Sequence, residues 1–123
     1  MLNLTPHPIS VKCADGTLIT YPVSGVVARV STVEYVLGSR DIFLPGTEEC
    51  DGQGNSNGFR VPVVRREFGE VTGLPTEGTP CIVSAMVLSA CPGRKGVYAP
   101  DTGETAGRNA KGFVEFVTRL VAA

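Results

Sequence analysis

The chain has 123 residues, 42% of them hydrophobic and 19% charged. This composition is that of an ordinary folded domain rather than a disordered segment, and the length suits one domain over residues 1–123 with a core that needs neither disulfide nor metal. The formal net charge of -1 excludes the strongly basic balance of a general nucleic-acid binder, so neither DNA nor RNA is an expected partner.

Leu2-Asn3-Leu4 reads as a short first strand, stopped by Thr5-Pro6-His7-Pro8. Prolines on both sides of His7 force extended backbone and remove two donors. Ile9 to Cys13 and Thr17 to Pro22 are β-rich and flank Ala14-Asp15-Gly16, a hairpin signal because glycine accepts the positive φ the turn needs. Val26 to Leu37 is next, as a long strand. Arg29 stands among valines there, either as a strand-edge charge or as a ligand contact. Arg40 to Pro45 reads as another strand. Gly46 to Gly58 is so rich in Gly, Asn, Asp and Glu that it reads as an exposed loop. Phe59 to Arg65 and Glu67 to Gly73 read as two short strands, with Arg65 and Arg66 on opposite faces.

The stretch from Cys81 to Asn109 opens with a continuous apolar run, Ile82 to Ala90. Its period fits a buried strand or a helix. Alanine, methionine and leucine favour a helix over Ser84 to Cys91, with Ser84 as N-cap, Ile82 and Val83 extended, and Cys91-Pro92-Gly93 as the stop. Beyond that stop the chain reads as loop chemistry: a cationic turn at Arg94-Lys95, the aromatic Tyr98, a polar turn through Asp101 and Thr102, then Arg108 and Asn109. The end, Gly112 to Val121, fits either a helical or a strand face, and its β-branched and aromatic content favours strand. The expected fold is α+β, a mainly antiparallel sheet with one short helix packed on it.

Chemistry is sparse. His7 is the one histidine, and neither a GxSxG elbow nor a Ser-x-x-Lys pair occurs. The four cysteines form no CxxC pair, so no metal site is expected, and neither is a cofactor. Glu48, Glu49 and Asp51 lie in the polar loop, where nothing would tune their pKa values. The glycines around Arg94-Lys95 lack the GxxxxGK[ST] pattern of a phosphate-binding loop. Cations beside an aromatic and hydrogen-bonding groups suit a small, anionic, ring-bearing molecule: Arg29, Arg66 and Arg108 as cations, Asn109 for a base edge, Tyr98, Asp101 and Thr102 around them. No cationic-then-apolar leader and no apolar run of membrane-spanning length are seen, so the expected setting is cytoplasmic without a membrane partner.

The opening Asn3-Leu4-Thr5-Pro6-His7-Pro8-Ile9, the Ala28-Arg29-Val30 of the long strand, and the run from Ile82-Val83-Ser84-Ala85 through Pro92-Gly93-Arg94 to Tyr98-Ala99-Pro100-Asp101-Thr102-Gly103 form a layout found in small bacterial and phage proteins. It resembles the first type of phage anti-Thoeris sponge proteins over nearly the whole chain, apart from Gly46 to Gly58. The resemblance implies non-catalytic sequestration of a cyclic ADP-ribose-type immune signal made by a TIR-domain enzyme. It also implies a homo-oligomer, dimer or hexamer, that in some members holds cyclic oligonucleotides at a separate site. The alternatives are a small phosphodiesterase or lyase using His7, and an interaction module without a ligand.

Overall fold

In a computed structural model the structure describes residues 1–46 and 58–123. The chain divides into two compact units, residues 1–31 with 70–123 and residues 32–69. The expected loop Gly46 to Gly58 falls, but for its end residues, outside the described residues.

The first unit is built on a four-stranded sheet. Its order is β1 (Leu2–Asn3), β6 (Cys81–Ile82), β7 (Val97–Pro100) and β10 (Leu120–Ala122). β1 and β6 are parallel, with Leu2 opposite Cys81, and β6 and β7 are parallel, with Ile82 opposite Tyr98. β10 closes the sheet antiparallel to β7, Leu120 opposite Pro100. The parallel pair β6–β7 needs a crossover, and α1 (Ala85–Ser89) supplies it. Ser84 caps α1 as its sequence foretells: the Oγ accepts from the Val87 backbone N–H at 3.3 Å.

Both faces of β6 are covered. Cys81 and Val83 join Leu4, Ala28, Val87, Cys91 and Val97 in one core, while Ile82, between them, is also fully buried. Burial on both faces is why this stretch reads as a continuous apolar run rather than an alternation. β2 (Ile9–Lys12) and β3 (Leu18–Tyr21) form the expected antiparallel hairpin. In its turn Gly16 takes φ +90° and Asp15 accepts the Thr17 N–H at 2.9 Å, a bond that holds the Asp15 carboxyl below its ordinary pKa. β8 (Gly107–Arg108) and β9 (Val114–Phe116) make a second small antiparallel pair.

The remaining pair is a ribbon of β4 (Arg29–Ile42) and β5 (Phe59–Thr72). Side-chain partners fall at 31 with 70, 34 with 66 and 41 with 60, the reversed order of antiparallel strands. Among the described residues the architecture is α+β, mostly antiparallel strands with one short helix, and α1 packs on β7.

Four local expectations change. The break foreseen between Leu37 and Arg40 is absent, because Gly38 takes φ +128° within the strand and β4 runs on to Ile42. β5 is likewise one strand rather than two. Tyr98 lies on a sheet strand, not in a loop, because β6 supplies a parallel partner that local sequence cannot reveal. The C-terminal strand is split at Thr118 and Arg119, whose side chains turn away to Thr105 O and to Asp101.

Candidate functional site

The chain's first turn forms one wall of the candidate site. Asn3 is buried, and its side chain spans four groups. Its amide donates to His7 O at 2.8 Å and Tyr21 O at 3.0 Å, and its Oδ1 accepts from the Thr5 N–H at 3.0 Å. Thr5 Oγ1 lies 2.7 Å from Asn3 Oδ1 and 2.9 Å from His7 O, and its single proton serves one of them. The turn around His7 is therefore held through the His7 carbonyl, not the imidazole, which is left exposed.

This wall places Leu4, Thr5 and Pro6 beside Val27 to Val30 and beside Ser84, Met86 and Val87. Together they enclose a cleft of about 270 Å³. Its floor is apolar, with Leu4, Ala28 and Val87 buried, while Met86 is an exposed large apolar side chain. Arg29 lines the cleft, and among the described residues it enters no ion pair. The hydroxyls of Thr5 and Ser84 also line it. An apolar floor, an uncommitted guanidinium and two hydroxyls are the elements that grip a ring bearing an anionic group.

Other clefts lie on the same unit, among them an apolar one of about 370 Å³ lined by Leu2, Leu4, Val26 and Leu74. Another, of about 270 Å³, is lined by His7, Ser10, Thr102, Glu115 and Phe116. A larger one, about 550 Å³, is lined by Gly73, Leu74, Glu77, Cys91 and Arg94. Arg94 is partly committed there, donating to Pro75 O at 2.7 Å. Cys81 is fully buried in the core with Cys91, and burial pushes its thiol pKa up against the opposing charge of Arg94. A raised pKa and full burial make a slow nucleophile. In the native protein Cys13, half-buried, is expected to react with iodoacetamide well before Cys81, as peptide mass mapping over time would show. Equal labelling of the two would contradict the packing of β6.

The sequence-predicted residues do not converge on one place. Arg29 lines the first cleft and Thr102 the second. Tyr98 is half-buried on β7. Asp101 is paired with Arg119 at 2.6 Å and accepts the Gly103 N–H at 3.1 Å; the backbone bond first and then the arginine hold its carboxyl below the ordinary range. Arg108 spends both terminal nitrogens on its own loop, donating to Thr102 O at 2.7 Å and Gly112 O at 2.9 Å. Asn109 accepts from Lys111 and Phe113 N–H groups, fixing the turn before β9. Arg66 lies on the ribbon, 3.3 Å from Glu34. Sequence reasoning misses Thr5, Ser84 and Met86 as site residues. Their signal is Thr5 between an apolar strand and Pro6, and an N-cap serine two residues before an exposed methionine.

Among the described residues no group of three or more His, Cys, Asp or Glu is placed to hold a metal ion. No helix of the described residues is long and apolar enough to cross a membrane. No protein-family model, curated protein or solved structure matches the chain.

Proposed function

We propose that the protein binds a small anionic, ring-bearing ligand of nucleotide type in the Arg29 cleft and retains it unchanged. The observation that carries this reading is the uncommitted Arg29 guanidinium beside an apolar floor of Leu4, Ala28 and Val87. The ring packs against the floor, the guanidinium takes a phosphate through its fork, and Thr5 and Ser84 supply hydroxyl contacts. The cleft admits one ring with its adjoining phosphate, so a larger cyclic ligand is held by one end. The resemblance to anti-Thoeris sponges names the class: a cyclic ADP-ribose-type immune signal, sequestered in the host cytoplasm by an oligomer with no DNA or RNA partner.

A single test residue separates site from scaffold. Arg29→Ala should weaken cyclic ADP-ribose binding by about tenfold to a hundredfold, the loss expected when a charged hydrogen bond worth about 1.5–3 kcal/mol is removed. The melting temperature of the free protein should stay within a degree or two, because Arg29 is exposed and, among the described residues, in no ion pair. Calorimetry beside thermal melting measures both. Wild-type affinity in the variant would rule out the cleft as the binding site.

A second reading rests on His7, which shares a cleft with Glu115 and Thr102. A phosphodiesterase or lyase would use that pair for proton transfer. Recovery of cleaved nucleotide after incubation, abolished in His7→Ala, would favour it.

A further inference from the structure

The polar side chains that line the Arg29 cleft are Thr5, Arg29 and Ser84, and each offers it something different. The Arg29 guanidinium presents a fork of N–H donors and, among the described residues, enters no ion pair. Ser84 Oγ spends a lone pair on the Val87 N–H at 3.3 Å, which leaves its own proton to donate. Thr5 is the reverse. Its proton is committed to Asn3 Oδ1 or His7 O, and at 7% exposure the residue shows the cleft a lone pair at most.

The cleft is therefore rich in donors and poor in acceptors. An ionised phosphate only accepts, and it fits that pattern. A base edge mixes donors and acceptors, and it does not. Telling one base from another takes a paired donor and acceptor, as the amide of Asn or Gln supplies, or a carboxylate for an amino group. None of these lines the cleft. Asn109, whose chemistry suits a base edge, holds its own turn instead. Backbone groups on the walls are spent as well: the Leu4 carbonyl takes the Ala28 N–H at 2.9 Å, the Ser84 carbonyl takes the Leu88 N–H at 3.0 Å, and Pro6 has no N–H to give. Arg29 has the geometry to read a guanine, but a charged phosphate holds a guanidinium more strongly than a neutral base does.

We propose that the cleft selects its ligand by the phosphate and is indifferent to the base. Resting on the assignment of this cleft as the nucleotide site, selection by phosphate widens the ligand class to phosphorylated rings whatever groups their edges carry. The floor of Leu4, Ala28 and Val87 and the exposed thioether of Met86 meet the faces of the ring, which the purines share, and leave its edge unread.

Calorimetry with two ligands that differ at one edge position tests it. Cyclic ADP-ribose carries nitrogen at position 6 of its purine, and cyclic inosine diphosphate ribose carries oxygen there, on the same pair of phosphates. Wild-type affinities for the two should agree within about fivefold, whereas a site that reads the edge separates them by about tenfold to a hundredfold. Adenosine, which has no phosphate, should bind at least about tenfold more weakly than either. Ser84→Asp keeps an oxygen for the Val87 N–H and replaces the proton with a negative charge. It should keep a melting temperature near the wild type's and weaken both cyclic ligands by a like factor of about ten or more. Should it not fold, the ligand comparison decides alone. A larger gap between the two cyclic ligands, adenosine bound within about tenfold of them, or a folded Ser84→Asp that weakens one ligand alone or neither, would overturn base indifference and leave the cleft standing as a binding site. Binding of neither cyclic ligand, or of both to Arg29→Ala as to the wild type, would remove the cleft reading and base indifference with it.

Discussion

Asn3→Ala is expected to be the most damaging single change outside the hydrophobic core. The side chain serves His7 O, Tyr21 O, the Thr5 N–H and the Thr5 hydroxyl at once, and Asn3 itself is 1% exposed. Alanine leaves these groups short of partners in a place water reaches poorly. Each buried group so orphaned costs about 1–3 kcal/mol, and relaxation recovers part of it, so a total of about 3–4 kcal/mol is expected. For a chain of this size that lowers the melting temperature by about 10–15 °C. Ser10→Ala is the comparison, because its hydroxyl bond to Thr20 is exposed and should be worth well under 1 kcal/mol. Equal melting temperatures for the two variants would mean that the Asn3 network does not pin the first turn. Loss of that network also removes Thr5 and Pro6 from the Arg29 cleft, so Asn3→Ala should lose binding along with stability.

Gly96→Ala is the second. Gly96 sits at φ +83°, where a Cβ costs about 1–2 kcal/mol. That Cβ would also stand 2.8 Å from Thr79 O and 2.9 Å from Gly78 C, backbone atoms with little room to yield. The Gly96 carbonyl accepts the Cys81 N–H at 2.8 Å, so displacing this turn disturbs the β6–β7 pairing at the centre of the sheet. About 3 kcal/mol is expected in all. Gly16→Ala isolates the backbone term, since Gly16 has φ +90° but nothing within 4 Å of its Cβ position. Urea denaturation of the two variants should show Gly96→Ala losing at least twice as much stability. Equal losses would refute the close approach at Thr79.

Local signals in this chain are legible, and non-local ones are not. Asp15-Gly16 announces its hairpin and Ser84 its helix, because each rests on bonds between residues two or three apart. Tyr98 reads as a loop residue because its strand exists only through partners far along the chain, Ile82 sixteen residues earlier and Ala122 near the end. Gly38 suggests a break, yet the antiparallel partner β5 carries the strand through it. The candidate site divides in the same way. Arg29 is legible as a cation among valines. Arg66 is not legible as an ion-pair member, because Glu34 is 32 residues away in sequence. Arg108 and Asn109, selected for their chemistry, hold their own loop through backbone groups within six residues. Asparagine's habit of bonding the backbone two residues on is the available clue for Asn109.

Native mass spectrometry of the protein incubated with cyclic ADP-ribose tests the central claim most directly, with Arg29→Ala run beside it. The expected result is an adduct of the intact ligand's mass on the wild type, release of the same unaltered molecule on heating, and little or no adduct on the variant. An adduct or a released product of altered mass would contradict retention without conversion, and equal loading of Arg29→Ala would contradict the site.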